Sequence, residues 1–459
     1  MFSDTPSRVL VVGGGYVGLY VALKLQKKVA ARGGVVTLVD PRPYMTYQPL
    51  LPEVASGAIE ARHVVVPHRR HLPQTEVITG TVTAIDHDRR LATIQAADGT
   101  TTELPYRDVV VAAGAVTRTF PIPGLAEQGI GLKTVEEALT LRNKVLERIE
   151  HASLLPAGSP ARARALTFVG VGGGFAGIEA ITELEDMARH VAAANPRVDQ
   201  AEVRFVLVEA MGRLMPEVTA EQAQWVVKHL RSRGIEVLLN TSLASAVDGV
   251  LELVNMPDRT PAQTFTADTL LWTAGVQAAP AARHFGFPLD PRGRITADAT
   301  LRILDAQDRP IDGAWVAGDI AAVPDLTGGG IGGYCVPNAQ HAVRQAKQLA
   351  ANLWATRSGN GHLTEYKHHN LGAVAGFGKH KGVGKILGVK LTGAPAWLIH
   401  RGYHGAAVPT WERKIRVLTD WTLSAVLGRD TTEISDVATP YHAFRAAAAP
   451  QPSASATGR

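Results

Sequence analysis

In 459 residues there is one cysteine, Cys335. A lone thiol excludes an intramolecular disulfide, a cysteine-rich zinc site and an iron–sulfur cluster. Redox chemistry in such a chain has to belong to a bound cofactor. Long apolar runs are missing too: no uncharged stretch reaches the roughly 18–20 residues that span a bilayer. The apolar segment Val9 to Leu23 follows Arg8 as a signal peptide would, but three consecutive glycines break it. No small-residue cleavage site follows it convincingly. A cytoplasmic protein, soluble or lying on the membrane surface, is expected. Charge excess is small: 47 Lys+Arg against 42 Asp+Glu leaves +5, with the signs mixed along most of the chain. No nucleic-acid partner is expected from that pattern. The 46% hydrophobic share rules out disorder for the bulk of the chain. The length suggests two to four domains.

Glycine is in excess, with 45 residues, above the usual share of roughly 7%. Part of it is patterned. Arg8 to Val12 reads as a buried parallel strand, and Gly13-Gly14-Gly15-Tyr16-Val17-Gly18 leads into a helix to about Val29. Val35 to Val39 is a second strand ending in Asp40, 22 residues past Gly18. Gly13, Gly15 and Gly18 permit a tight turn, close approach of a pyrophosphate and close helix–strand packing. Asp40 can accept hydrogen bonds from an adenosine ribose. The unit recurs about 160 residues on: a strand Ala165 to Val169, then Gly172, Gly174 and Gly177. A helix from about Ile178 to His190 and a strand Val203 to Val208 ending in Glu209 complete it. The longer gap to this acid suggests a lengthened helix or an insert near Ala192 to Asp199. Glu209 favours NADH by repelling the 2′-phosphate of NADPH, while the nearby Arg213 could soften that preference or be surface charge. Two copies mean two nucleotide-binding domains.

Other strands read as a hairpin pair Val77 to Asp86 and Leu91 to Ala96, then Asp108 to Gly114, Thr269 to Gly275, and Ile311 to Asp319. A helix from about Asn338 to Trp354 follows the glycine-rich loop Gly328 to Gly333, which reads as a pocket wall or a connector. Ser358 to Gly361 marks a linker. Trp411, Ile415, Leu418, Thr422 and Ala425 share one helical face, with Arg413, Lys414 and Arg416 on or near the other. That pattern fits a helix lying on an anionic membrane, or one packed on the domain or a dimer mate. His400 and His404 are read as solvated or interfacial. Residues after Phe444 are Ala, Pro and Ser, and read as disordered.

Two glycine turns followed by Thr273-Ala274-Gly275 and Ala317-Gly318-Asp319, in this order and spacing, resemble the flavoproteins with two dinucleotide-binding domains. The resemblance implies FAD in the first unit and NAD(P)H in the second. The FAD unit would be split in sequence and completed by Asp319. Disulfide reductases, NADH peroxidases and oxidases, and sulfide:quinone oxidoreductases of this fold need reactive cysteines, and nothing between Leu19 and Val110 is cysteine. Further segments resemble the type II NADH:quinone oxidoreductases: Tyr44 to Gly57, Gly172 to Glu179, Trp272 to Val276, Lys381 to Val389, and Pro395 to Leu398. The likeness runs from about Arg8 to Arg429, and is strongest to actinobacterial NAD(P)/FAD-dependent oxidoreductases.

This resemblance implies an α/β fold with two Rossmann-like domains and a C-terminal amphipathic helical region. The expected division is 1–120 for the first part of the FAD domain, 121–290 for the NAD(H) domain and 291–360 for the second FAD part with the acceptor-site helix. Residues 361–445 would form a membrane-surface or dimer region and 446–459 a tail. Cofactor positions carried over are Gly13, Gly15, Gly18, Asp40, Gln48, Val82, Ala113, Gly114, Asp319 and Gln340 for FAD. For NADH they are Gly172, Gly174, Gly177, Glu209, Ala274 and Gly275. Glu179, Gln340 and Arg344 are the expected catalytic side chains. The family has a second glutamine where this chain has Arg344, and Gln345 points elsewhere on the helix. The implied reaction takes hydride from NADH and gives two electrons to a quinone, menaquinone by expectation, without proton pumping. A soluble reductase for another acceptor and a non-catalytic NADH sensor stay open, as do an anionic membrane and a homodimer as partners. No metal is expected.

Overall fold

The computed structural model describes residues 7–434 apart from 329, 331, 360, 369–371 and 387, with a few isolated positions after 440. The tail expected at 446–459 lies outside the described residues, save position 448.

Two parallel sheets carry the molecule. In the first, β1 (Arg8–Val12) pairs in parallel with β2 (Val35–Asp40) and with β7 (Asp108–Val111). Beyond β2 lies β3 (Thr75–Thr79). Val9, Leu10 and Val11 are fully buried, as β-branched and aliphatic runs covered on both faces must be. The sheet is completed from far along the chain by β12 (Arg302–Leu304) and β13 (Pro310–Val316), the latter parallel to β7 through Ala314 and Val109. The FAD-type unit is therefore split in sequence, as expected. In the second sheet β8 (Thr167–Val171) pairs with β9 (Arg204–Val208) and β11 (Thr269–Trp272), and β10 (Ile235–Leu238) flanks β9. A short antiparallel pair, Ala115–Thr117 with Val276–Ala278, joins the two units.

Helix α1 (Tyr16–Ala30) and α6 (Ala339–Ser358) pack together over the first sheet. Helix α2 (Leu51–Ala55) packs on both α3 (Val135–Ser153) and α4 (Phe175–Ala194). α5 (Ala220–Ser232) covers β10. The C-terminal region is an antiparallel sheet of β14 (Gly372–Gly376), β15 (Gly382–Ile386) and β16 (Val389–Thr392). It is followed by α7 (Ala394–Ala407) and α8 (Trp411–Leu427).

Four expectations are corrected. Val77 to Asp86 is not one strand: β3 ends at Thr79 in the parallel sheet. The chain turns at Gly80, and β4 (Thr81–Asp86) pairs with β5 (Leu91–Gln95) in a separate antiparallel sheet with β6 (Thr101–Pro105). A Cβ at Gly80 would stand 2.9 Å from the Gln95 carbonyl oxygen, so only glycine lets the chain cross there. The strand read at Ala165 starts two residues later, because Ala165 ends a short helix, Pro160–Ala165, capped by Ser159. Helix α4 overruns its expected span at both ends, to Phe175 and Ala194. That extension, with the loop after it, fills the longer gap to Glu209. The linker read at Ser358 begins one residue late, since α6 runs through Ser358 and stops at Gly359 with φ +68°.

Candidate active site

The two glycine turns have the same division of labour. Gly13 has φ +99° and Gly172 φ +115°, which β-carbon-bearing residues rarely adopt. A Cβ on Gly18 would lie 1.8 Å from the Gly13 carbonyl oxygen, and one on Gly177 2.0 Å from that of Gly172. These glycines let each helix sit against its own turn. Gly15 and Gly174 differ: a Cβ there would meet nothing within 4 Å. Both are N-caps, of α1 and α4, and neither helix start has a side-chain cap. By contrast α3 and α5 have capping boxes at Thr134 and Thr219, and α6 is capped by Asn338. Two long helices thus present uncapped N–H groups and a positive dipole end to open space, the donor set a pyrophosphate needs.

The acids are placed alike as well. Asp40 Oδ2 accepts from Gly14 N at 2.6 Å and Glu209 Oε2 from Gly173 N at 2.6 Å. Each carboxylate braces its turn and keeps free lone pairs for a ribose. His68, not read from the sequence, is fully buried beneath the first turn with Nε2 2.8 Å from the Gly14 carbonyl. Ala113-Gly114 and Ala274-Gly275 follow the ends of β7 and β11, and a Cβ on Gly114 would also meet open space. Val82 is a core side chain, 4% exposed, so only its backbone is available to a nucleotide.

Between the units lies a cavity of about 600 Å³ whose lining includes Arg118, Gln277, Arg294, Asp319, Tyr334 and Cys335. Asp319 has no hydrogen-bond donor among the described residues. Burial raises its pKa, with the Lys133 charge opposing. The Tyr16 hydroxyl, beside the Gln48 backbone, is likewise buried with no well-formed hydrogen bond among the described residues. Open cradles, an orphan carboxyl and an orphan hydroxyl fit FAD and a second dinucleotide. Burial pushes the Cys335 thiol up to about 11, so it stays protonated and inert, a small buried side chain.

The three expected catalytic side chains lie on two helices, Glu179 on α4 and Gln340 with Arg344 on α6. Glu179 Oε1 accepts from Gly376 N at 3.0 Å and faces His400 Nε2 at 3.1 Å. Gln340 sits half-buried in the first turn of α6. Arg344 lies 2.9 Å from His368 Nδ1. Gln345 does point elsewhere, and its target is informative: its Oε1 accepts from Gly318 N at 2.8 Å, fixing the Ala317-Gly318-Asp319 turn. Gln48 donates to the Lys133 carbonyl at 3.0 Å. Arg213 donates to the carbonyls of Met215, Pro216 and Val218, closing its own loop. Of the glycine loop before α6, Gly329 and Ile331 are outside the described residues.

His400 and His404 are the largest correction: both are buried, at 5% and 9% exposed. They face inward because α7 packs on β14 and β15 and turns this side to α2 and α4. Arg413 is also buried, donating to the Arg62 carbonyl at 2.9 Å, and is not a solvent-facing charge. Buried polar contacts lock the C-terminal region to both units. Glu53 on α2 accepts from Trp421 Nε1 at 2.6 Å and Arg401 at 3.0 Å. Glu183 takes Arg429 at 2.6 Å. The face of α8 beside that of Val417 and Trp421 carries a bare apolar stripe: Trp411 is 79% exposed, Ile415 62% and Leu418 51%.

Comparison with known proteins agrees with this geometry. Residues 7–346 match the family model described as pyridine nucleotide-disulphide oxidoreductase. A type II NADH:quinone oxidoreductase, Ndh, of Mycobacterium tuberculosis is 29% identical, covering 91% of this chain and 88% of that protein. The demethylphylloquinone reductase NdbB of Synechocystis is 28% identical over 91% of this chain and 96% of its own. The solved structure of NDH2 from Plasmodium falciparum in complex with NADH superposes with a TM-score of 0.83 at 18% identity, covering 93% of this chain and 99% of that one, a likeness of fold. The chain belongs to the pyridine nucleotide-disulphide oxidoreductase family, and its resemblance to the type II NADH:quinone oxidoreductases extends over 91% of its length.

Proposed function

We propose that this protein is an FAD-dependent, non-proton-pumping NADH:quinone oxidoreductase that works at the cytoplasmic face of an anionic membrane, with menaquinone as its acceptor. The observation that carries the reading is the pair of uncapped helix N-termini at Gly15 and Gly174, each with an acid at the end of the next strand bonded to its turn. FAD, when bound, supplies the two-electron chemistry.

The chain's own work is placement. The N–H groups at α1 hold the FAD pyrophosphate and Asp40 its ribose; those at α4 and Glu209 do the same for NADH. Glu209 faces the adenosine ribose with negative charge, which disfavours a 2′-phosphate. Asp319, held by Gln345 through Gly318, fits the ribityl hydroxyls as their acceptor or donor. Gln340 and Arg344, in the first turns of α6, supply polar contacts to the quinone oxygens. The bare apolar stripe of α8, with Leu398 of α7 (61% exposed), seats in the membrane interface, where a lipid-soluble quinone is found. Among the described residues no helix is long and apolar enough to cross the bilayer. The test is stopped-flow reduction of the purified holoprotein by NADH, then mixing with menaquinone in vesicles. Bleaching of the flavin followed by reoxidation within the turnover time supports the reading. A flavin that NADH does not bleach, or that only a soluble protein acceptor reoxidises, overturns it.

A further inference from the structure

A row of buried ionisable side chains runs from the second nucleotide unit to the first through α7, and the function above leaves most of it unused. Glu179 on α4 is the wet end, with 12% of its side chain exposed, and stands 3.1 Å from His400 Nε2, at ion-pair distance but without well-formed hydrogen-bond geometry. His400 and His404 are one turn apart on α7, their rings meeting edge to face at 4.5 Å. His404 Nδ1 is 2.9 Å from the Tyr47 hydroxyl. The Tyr47 ring lies 6.0 Å from that of Tyr16, whose buried hydroxyl lacks a well-formed hydrogen bond. Tyr16 directly follows the first glycine turn and Tyr47 directly precedes Gln48, so the row ends inside the proposed flavin site.

The charges around it suit proton movement inward. Burial alone would lower the pKa of His400, but the contact with Glu179 and the charges of Glu53 and Glu183 raise it. Arg401 is paired with Glu53 and Arg429 with Glu183. Burial, helped by the His400 charge, drives His404 the other way, toward the neutral form. Burial, with Tyr403 and Tyr20 nearby, keeps Tyr47 protonated. The surroundings thus favour the charged form of His400 and the neutral form of His404, which can take its proton.

We propose that His404 and Tyr47 are the inner end of a relay that supplies the proton consumed when the acceptor is reduced, with Glu179 and His400 as its entrance. The proposal rests on the quinone reading above. In that reaction NADH, one proton and quinone give NAD⁺ and quinol. The hydride brings both electrons and one proton, and the second proton comes from water. His400 first passes its proton to the neutral His404, and the His404 cation then protonates the Tyr47 oxygen as the Tyr47 hydroxyl proton moves inward to the acceptor being reduced. His404 is neutral again, and His400 is recharged through Glu179.

The test uses FAD-loaded wild type, His404→Gln and the near-isosteric Tyr47→Phe in stopped flow. Menadione serves as a proton-consuming acceptor and ferricyanide as one that takes electrons only. Flavin bleaching by NADH should stay within about twofold, while reoxidation by menadione slows about 10²-fold and loses its pH dependence and solvent isotope effect. Reoxidation by ferricyanide should be unchanged. Independently of turnover, ¹⁵N-histidine NMR of the resting holoenzyme at pH 7 should show His400 charged and His404 neutral. Menadione reoxidation at the wild-type rate in both variants, equal slowing with both acceptors, or a charged His404 overturns the relay. A wild-type flavin that NADH bleaches and menadione cannot reoxidise overturns the quinone reading itself, and the relay with it.

Discussion

Gly15 and Gly18 are three residues apart in one turn, and their geometry assigns them opposite fates on substitution. A Cβ on Gly15 enters open space, with nothing within 4 Å. The Gly15→Ala apoprotein should therefore differ from wild type by no more than about 1 kcal/mol, the scale of an N-cap change. The new methyl does occupy the space through which a pyrophosphate reaches the α1 amides. Losing one or two charge-assisted hydrogen bonds, at about 1.5–3 kcal/mol each, weakens FAD binding by roughly 10–10⁴-fold. A Cβ on Gly18 instead falls 1.8 Å from the Gly13 carbonyl oxygen and 3.2 Å from Val11. That contact is with backbone, so no rotamer change relieves it, and the expected cost is about 3 kcal/mol or more. The assay is a thermal melt of the deflavinated proteins beside an FAD fluorescence titration. Gly15→Ala should melt with wild type and fail to hold flavin, while Gly18→Ala should melt several degrees lower. Wild-type FAD affinity in Gly15→Ala, or wild-type stability in Gly18→Ala, would refute the assignment.

Glu209→Gln removes the charge facing the adenosine ribose, so the ratio of kcat/KM for NADH over NADPH should fall at least about tenfold in steady-state assays. Trp421→Phe strips a donor from the buried Glu53 carboxylate and should cost about 1–3 kcal/mol, read by denaturant unfolding of the holoprotein. Trp411→Glu with Ile415→Glu places charge on the bare stripe of α8, and should abolish co-sedimentation with anionic vesicles while ferricyanide reduction persists. His341 has its pKa lowered to about 4, by burial first and then by His368. The unfolded chain therefore binds the extra proton between about pH 6.5 and 4, and this residue's contribution to stability is lost as pH falls through that window. His341→Gln should flatten the fall, measured as urea midpoints against pH.

The parts set by local covalent geometry were readable from the chain. A strand of Val and Leu, glycines where only φ near +99° or zero side-chain volume will do, and an acid closing the next strand define each nucleotide unit within about 30 residues. The lone cysteine, placed late, removed the thiol-dependent relatives before any fold was drawn. Asp319 was found only because a family pattern pointed to it: a Gly-Asp pair is otherwise an ordinary turn. His68, Gln345 and the His400–His404 pair were not readable as site residues. Their partners, Gly14, Gly318, Glu179 and Tyr47, lie 54, 27, 221 and 357 residues away, and no helical or strand period links them. The sequence by itself determined that two dinucleotide turns exist and that thiol chemistry does not. The amphipathic period of α8 was equally plain. Which stripe of that helix meets protein, and whether the α7 histidines meet solvent or a buried carboxylate, were decided only when tertiary packing brought α2 and α4 against them. Burial and long-range pairing are what set the protonation of a side chain.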